Sequence, residues 1–271
     1  MGNIRNTKRL VNISNNREYV VLRGVYKEES ETISRLISNI VKFEKHNLEI
    51  KQTLQVFEEV KVSIKGKENN RIIRVIKESL SFFRTFLNYW ETYLTREFGK
   101  ESEQFKTFKI ETSKQFHNSF AYRFFIGLGN YIQHINFPSI SIKSWINQNG
   151  LVEYSLIANS NELLRSFSWK SSVKNDLNRI NGNFDILPLF KDVADSLIII
   201  HNVTINKLDV LSVLRDCQEL LLYKKEKIND CKLAMIEYKE GIKPNTLKGI
   251  SVEEFPFELA EQIVSNTKLE K

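Results

Sequence analysis

Asn70–Gly99 reads NRIIRVIKESLSFFRTFLNYWETYLTREFG and carries the cleanest periodicity in the chain. Ile73, Ile76, Leu80, Phe83, Leu87, Trp90 and Leu94 follow one another in alternating steps of three and four. That spacing gathers them on one face of an α-helix, as a seam that packs on another helix at a shallow crossing angle. Asn70 is placed to cap its start and Gly99 to stop it. With only Gly99 to Glu101 intervening, a second long helix over Ser102–Ile135 is expected to fold back antiparallel on the first. Its apolar positions include Phe105, Phe108, Phe116, Phe120, Phe124 and Leu128, and at helical rise it would run roughly 50 Å. Asn136-Phe137-Pro138 ends it, since the residue before a proline is pushed out of helical geometry. The expected fold class is therefore mainly α: a bundle of long antiparallel helices centred on residues 70–98 and 102–135.

The flanking sequence adds to this pair. Upstream, Ile33, Leu36, Ile37, Ile40 and Val41 form a helical stripe that Leu54, Phe57 and Val60 continue past a weak point near His46-Asn47. Residues 1–27 read as a basic arm (Arg5, Lys8, Arg9, Arg17, Arg23, Lys27) ending in an edge strand at Tyr19–Leu22. Downstream, residues 139–168 change character. Ile140, Ile142 and Trp145 alternate with polar residues, Asn147–Gly150 is turn-like, and Leu151–Ile157 is strand-like, which together predict a small β-hairpin. A short helix is expected over 169–181, closed by Asn181-Gly182-Asn183. A third long helix is expected from Pro188 to about Lys227, then a strand at Leu233–Tyr238 and a short helix near Phe257–Val264. The domain reading is an N-terminal arm (1–27), one helical domain (28–228) with a β-rich insertion at 139–168, and a C-terminal strand and helix (229–271) packed on it.

Composition narrows the function classes. The chain has 271 residues, 41% hydrophobic and 27% charged, which is ordinary for a globular protein with an ample core. Ten glycines and four prolines leave few helix breakers. The net charge of +7 permits a nucleic-acid partner without demanding one. Cys217 and Cys231 make neither a disulfide framework nor a zinc cluster, as expected of idle thiols in a reducing cytoplasm. The segment MGNIRNTKRL lacks the apolar core of a secretory signal, and Asn6 stands where a myristoylation motif wants Ser or Thr. The longest apolar run, Leu197–Ile200, is too short to span a bilayer, so no membrane partner is expected. There is no GxxxxGK[ST], GxGxxG, HExxH or GxSxG. Asp192 and Asp195 suit a helix start better than a catalytic carboxylate pair. His46, His117 and His201 are isolated, so neither a metal site nor a cofactor is expected.

One polar cluster remains, in Ser119–Pro138, SFAYRFFIGLGNYIQHINFP. On a helix Arg123, Gly127, Asn130 and His134 fall on one face. Asn130 and His134 at i, i+4 let an amide orient an imidazole, the usual general acid or base near neutral pH. The plain alternative is an Asn and a His satisfying each other at a buried polar interface.

The stretch LGNYIQH, closing a long helix and followed by NFP, resembles the R-N-x-x-x-H signature of the HEPN superfamily. The likeness covers this motif and the helix pair around it, roughly residues 70–138. It implies an all-α, dimerising fold and a metal-independent RNase or RNA-binding role in toxin–antitoxin, abortive-infection or other antiviral defence. His134 matches the motif histidine and Asn130 the polar residue after the arginine. The arginine position is Gly129, which cannot hold a phosphate; this implies a weakened site, with Arg123 as the substitute phosphate ligand. Two further expectations accompany it. A homodimer is expected, with the face from Tyr122 to His134 at the interface and Gly127 and Gly129 allowing close approach. RNA is expected to contact Lys61, Lys65, Lys67, Arg71, Arg74 and Lys77. The alternatives are a non-catalytic dimeric scaffold or regulatory partner of a cognate protein, and a helical interaction protein unrelated to RNA.

Overall fold

The structure is a computed structural model that describes residues 8–16, 18–66, 68–228, 230–237 and 250–268. Arg5, Arg17, Lys67 and Tyr238, which figured in the expectations above, lie outside them. The chain is mainly α, with two antiparallel sheets. It divides into two compact units, residues 1–46 with 209–271 and residues 47–208, a grouping that cuts across the expected 28–228 domain. Helix α1, Lys27–Lys65, passes from the first unit into the second without a break, so the weak point at His46-Asn47 marks the unit boundary and not a helix end.

In the first unit the strands β1 (Lys8–Ile13), β2 (Tyr19–Gly24), β6 (Lys232–Glu237) and β7 (Ser251–Glu254) form a sheet in the order β2-β1-β6-β7. Tyr19–Leu22 is on the edge strand β2, as expected. The segment before it is no arm from Lys8 onward, because β1 lies inside the sheet. Its alternation shows why: Leu10 joins Leu233, Met235, Ile33, Leu36 and Ile40 in one cluster, while Val11 and Ile13 join Ala234 and Ile236 in another. Helices α8 (Val210–Leu222) and α9 (Phe257–Lys268) complete the unit. Two ionic clamps tie it together. Arg23 forks Glu29 at 2.7 and 2.9 Å and Glu226 at 3.0 and 3.1 Å, and its charge holds the Glu29 carboxyl below the usual range. Buried Asp216 accepts from Arg35 at 2.7 Å and Asn39 at 2.8 Å.

The second unit holds α2 (Asn69–Phe98), α3 (Glu103–Asn118), α4 (Phe120–His134), α5 (Ser160–Ser166), α6 (Ser171–Ile180) and α7 (Leu187–Ile205). Its sheet is β3 (Ile140–Ile146), β4 (Val152–Asn159) and β5 (Asn183–Asp185), in that order. The expected hairpin is β3–β4, and Gly99 stops α2 with φ 82° and its N–H on Thr95 O at 3.1 Å. The start of α2 differs: it begins at Asn69, and no side chain caps it. The seam is real but wider than its spacing suggested. Ile76, Leu80, Phe83, Trp90 and Leu94 are buried, Ile73 and Leu87 lie at the margin, and Ile72, Val75 and Phe86 are also buried, so α2 is covered on more than one side. Lys109 reaches Glu91 at 3.3 Å and the Tyr122 ring sits 5.3 Å from Phe83, so the return segment runs antiparallel to α2.

That segment is not one 50 Å helix. It breaks at Ser119, which has extended backbone (φ −107°, ψ 115°) and whose hydroxyl accepts the Tyr122 N–H at 3.2 Å. A serine N-cap starts a new helix there. Arg123 donates to the carbonyls of Phe116 at 3.3 Å and His117 at 3.1 Å, groups the break would otherwise leave unpaired. The third long helix breaks in the same manner: α7 ends at Ile205, and Asp209 caps α8 by accepting the Ser212 N–H at 3.0 Å.

His201 on α7 is part of the core of this unit. It is 6% exposed, with its ring 5.7 Å from Trp90 and 6.4 Å from Phe86. Nε2 meets Asn47 Oδ1 at 3.3 Å, and Nδ1 has no partner among the described residues. Burial pushes its pKa down to about 4 from 6.5. A histidine whose folded pKa is depressed binds its proton more readily when unfolded, so stability falls as pH drops from about 6.5 to about 4. The expected loss is about 3 kcal/mol. Urea titrations at pH 7 and pH 4.5 should show that loss for the native chain and a smaller one for His201→Phe; equal losses in the two proteins would remove His201 from the acid limb.

Candidate functional site

The aromatic sequence of α4 fixes its rotation. Ala121, Tyr122, Phe124, Phe125, Leu128 and Tyr131 are buried, and the Phe125 ring lies 4.9 Å from Phe190 on α7. The opposite edge of the helix, with Asn130, Gln133 and His134, is left toward solvent. Asn130 and His134 are one turn apart on that edge, and His134, the last residue of α4, is exposed. They do not form the isolated buried Asn–His pair of the plain alternative.

Asn130 instead binds Arg84 of α2. Arg84 Nη2 donates to Asn130 Oδ1 at 2.6 Å, and Nη1 donates to Gln133 Oε1 at 2.9 Å. Two neutral amides thus fix the guanidinium without cancelling its charge, and its remaining N–H groups have no partner among the described residues. A Cβ built on Gly129 would lie 4.0 Å from Arg84 Nη2, an ordinary contact, so the guanidinium crosses close to Gly129 without requiring a glycine there. Lys77, Leu80, Ser81, Arg84, Thr85 and Asn88 of α2 face Gly129, Ile132 and Gln133 of α4 across a groove of about 320 Å³. No carboxylate lines it, and Lys77 makes no ion pair among the described residues. The two cations are seven residues apart, about 10 Å along the helix axis. Such an acid-free cationic groove with neutral hydrogen-bonding neighbours suits phosphate oxygens.

Other expected residues fall elsewhere. Arg123 is not available to a phosphate: its Nε donates to Asp176 Oδ2 of α6 at 2.6 Å, and the two side chains are only 13% and 14% exposed. Its partner could not be read from spacing, because Asp176 is more than fifty residues away on another helix. Among the expected RNA contacts only Lys77 lines the groove. Lys61 pairs with Glu58 at 2.8 Å and Arg74 with Glu78 at 3.7 Å, while Lys65 and Arg71 are exposed. Lys67 lies outside the described residues. The expected dimer face is partly spent within the chain, since Tyr122 is buried and a Cβ on Gly127 would come within 2.7 Å of the Trp169 ring. Gly127 therefore serves close packing inside the unit.

Among the described residues no group of three or more His, Cys, Asp or Glu side chains could hold a metal ion, and no single helix is long and apolar enough to cross a membrane. No family model, curated protein or solved structure matches the chain.

Proposed function

We propose that this chain is an HEPN-like RNA-binding protein. RNA phosphates would lie in the α2–α4 groove on Arg84 and Lys77, and His134 would act beside them as general acid/base. The observation that carries the reading is Arg84: a guanidinium in an acid-free groove, held by amides on the last turn of the helix that ends in His134. Arg84 supplies from α2 the charge that Gly129 lacks. With a phosphate so held, an imidazole can take the proton of the ribose 2′-OH as that oxygen attacks the adjacent phosphorus. The 5′-oxygen leaves as a hydroxyl, taking a proton from water, and a 2′,3′-cyclic phosphate remains. No metal is required, which fits an RNase of the toxin–antitoxin or antiviral-defence kind.

A second reading, a non-catalytic scaffold or regulatory partner that dimerises or binds a cognate protein, is favoured by Gly129 and by the groove's lining, which among the described residues includes no histidine. One experiment separates them. Single-stranded RNA is incubated with the protein in EDTA, and both retention and product ends are measured. The expected result is binding together with slow cleavage to cyclic phosphate, with His134→Ala cutting about a hundredfold less while still binding. Binding without cleavage would favour the second reading, and a native protein that neither binds nor cuts RNA would sink the proposal.

A further inference from the structure

A second hollow, of about 370 Å³, follows the phosphate groove along α2. Its floor is the buried pair Ile72 and Ile76, and its sides are the part-exposed Ile73, Phe137, Ile140 and Ile142. The α2 wall supplies residues from Asn69 to Ile76 here and from Lys77 to Asn88 in the phosphate groove. The facing wall is Asn136–Ile142 here and Gly129–Gln133 there, with His134 and Ile135 between. The trough these two hollows make along α2 is thus cationic at one end and apolar at the other, and His134 lies between their lining segments in the chain, its side chain lining neither.

We infer that the apolar hollow is a base-binding subsite, taking one unpaired nucleobase from the strand whose phosphates lie on Arg84 and Lys77. This rests on the RNA reading above and adds to it what the site does with the base. No ionised side chain lines the hollow, so a charged occupant would lose its hydration uncompensated. A nucleobase has two apolar faces, for Phe137 and the isoleucine sides, and a polar edge. At the rim stand exposed Asn69, Asn136 and Ser139. Asn136 Oδ1 already accepts the Phe137 N–H at 2.7 Å, which leaves its NH2 as a donor toward a base carbonyl or ring nitrogen. Within a nucleic-acid strand the base is the apolar group that arrives tethered to a phosphate, and about 6 Å of helix axis separates Ile73 from Lys77. A base locked in a duplex stack cannot enter, so the trough selects single strands.

Three strands of equal length test this: oligouridylate, the same ribose-phosphate backbone without bases, and a duplex. Each is titrated against the native protein and against Ser139→Trp, which plugs the hollow from its solvent-exposed rim. The native chain should bind the base-bearing single strand roughly tenfold more tightly than the abasic one, the loss expected for one stacked base. The duplex should bind no better than the abasic strand. Ser139→Trp should lower oligouridylate affinity to the abasic level and leave abasic binding unchanged. Equal affinity for the base-bearing and abasic strands overturns the subsite while leaving the phosphate groove standing, and that comparison needs no variant. Binding of none of the three strands overturns both. A native dimer that Ser139→Trp dissociates would assign the hollow to a second copy of the chain and overturn the base subsite.

Discussion

Arg84→Glu should lose RNA affinity by about a hundredfold at 0.1 M salt. Removing a charge-assisted contact costs about 1.5–3 kcal/mol, and reversing its sign adds repulsion to every phosphate in the groove. The loss should be the same for all RNA sequences, since a phosphate contact positions the strand without reading it. The salt dependence of binding should also flatten, as one fewer counterion is released. Arg84→Lys should fall between, because a lysine keeps the charge but cannot fork to Asn130 and Gln133. The fold should tolerate these changes, since Arg84 is half-exposed and its partners are neutral side chains that can turn to water. Native affinity and salt slope in Arg84→Glu would place RNA binding elsewhere on the molecule.

Arg123→Ala should act in the opposite manner, on stability and not on RNA. It leaves the Asp176 carboxylate at 14% exposure without its ion pair, and it frees the carbonyls at the end of α3. Breaking such a pair costs about 3–5 kcal/mol. In a chain of this size the thermal midpoint should fall by roughly 10 °C. Arg123→Leu combined with Asp176→Leu should recover much of the loss, because no charge is then left unpaired. Below its midpoint the Arg123→Ala protein should bind RNA as the native chain does. Unchanged thermal stability together with weaker RNA binding would return Arg123 to the role its place beside Asn130 and His134 in the sequence suggested.

The contrast between these two arginines shows what the sequence could carry. Periodicity is local, so the α2 seam, the Gly99 stop, the β3–β4 hairpin and the late helix were all legible. The solvent-facing edge of α4 was legible too, because its buried aromatics leave Asn130 and His134 on the other side. The partners of that face were not. Arg123 shares the face by spacing, yet it turns to Asp176 on α6. Arg84 looks like one more solvated arginine beside the seam, and only the fold-back of α4 sets it against Asn130 and Gln133. The one available signal was the polar row Lys77, Ser81, Arg84 and Asn88, which runs along α2 next to its apolar stripe at helical spacing. The break at Ser119 was missed for a related reason. A serine inside an amphipathic run reads as a weak helix residue until the Tyr122 N–H is seen to need it. Strand β1 reads as an arm because its one near partner, β2, is an exposed edge, while β6, which places it inside the sheet, lies more than two hundred residues away.

That last pairing has a consequence for how the protein is made. On the ribosome β1 emerges just ahead of its neighbour β2, with which it pairs from Ile13 opposite Tyr19 to Arg9 opposite Gly24. Its other edge pairs with β6, where Ile13 faces Lys232. At ordinary elongation rates that partner emerges on the order of ten to forty seconds later. Meanwhile all of residues 47–208 can fold, being one contiguous stretch. The nascent chain therefore carries an unpaired strand edge bearing Leu10, Val11 and Ile13 until β6 emerges, a template for stray pairing with other chains. Holdase chaperones should find this protein by that hairpin, and refolding from denaturant should be limited by closure of the β1–β6 ladder.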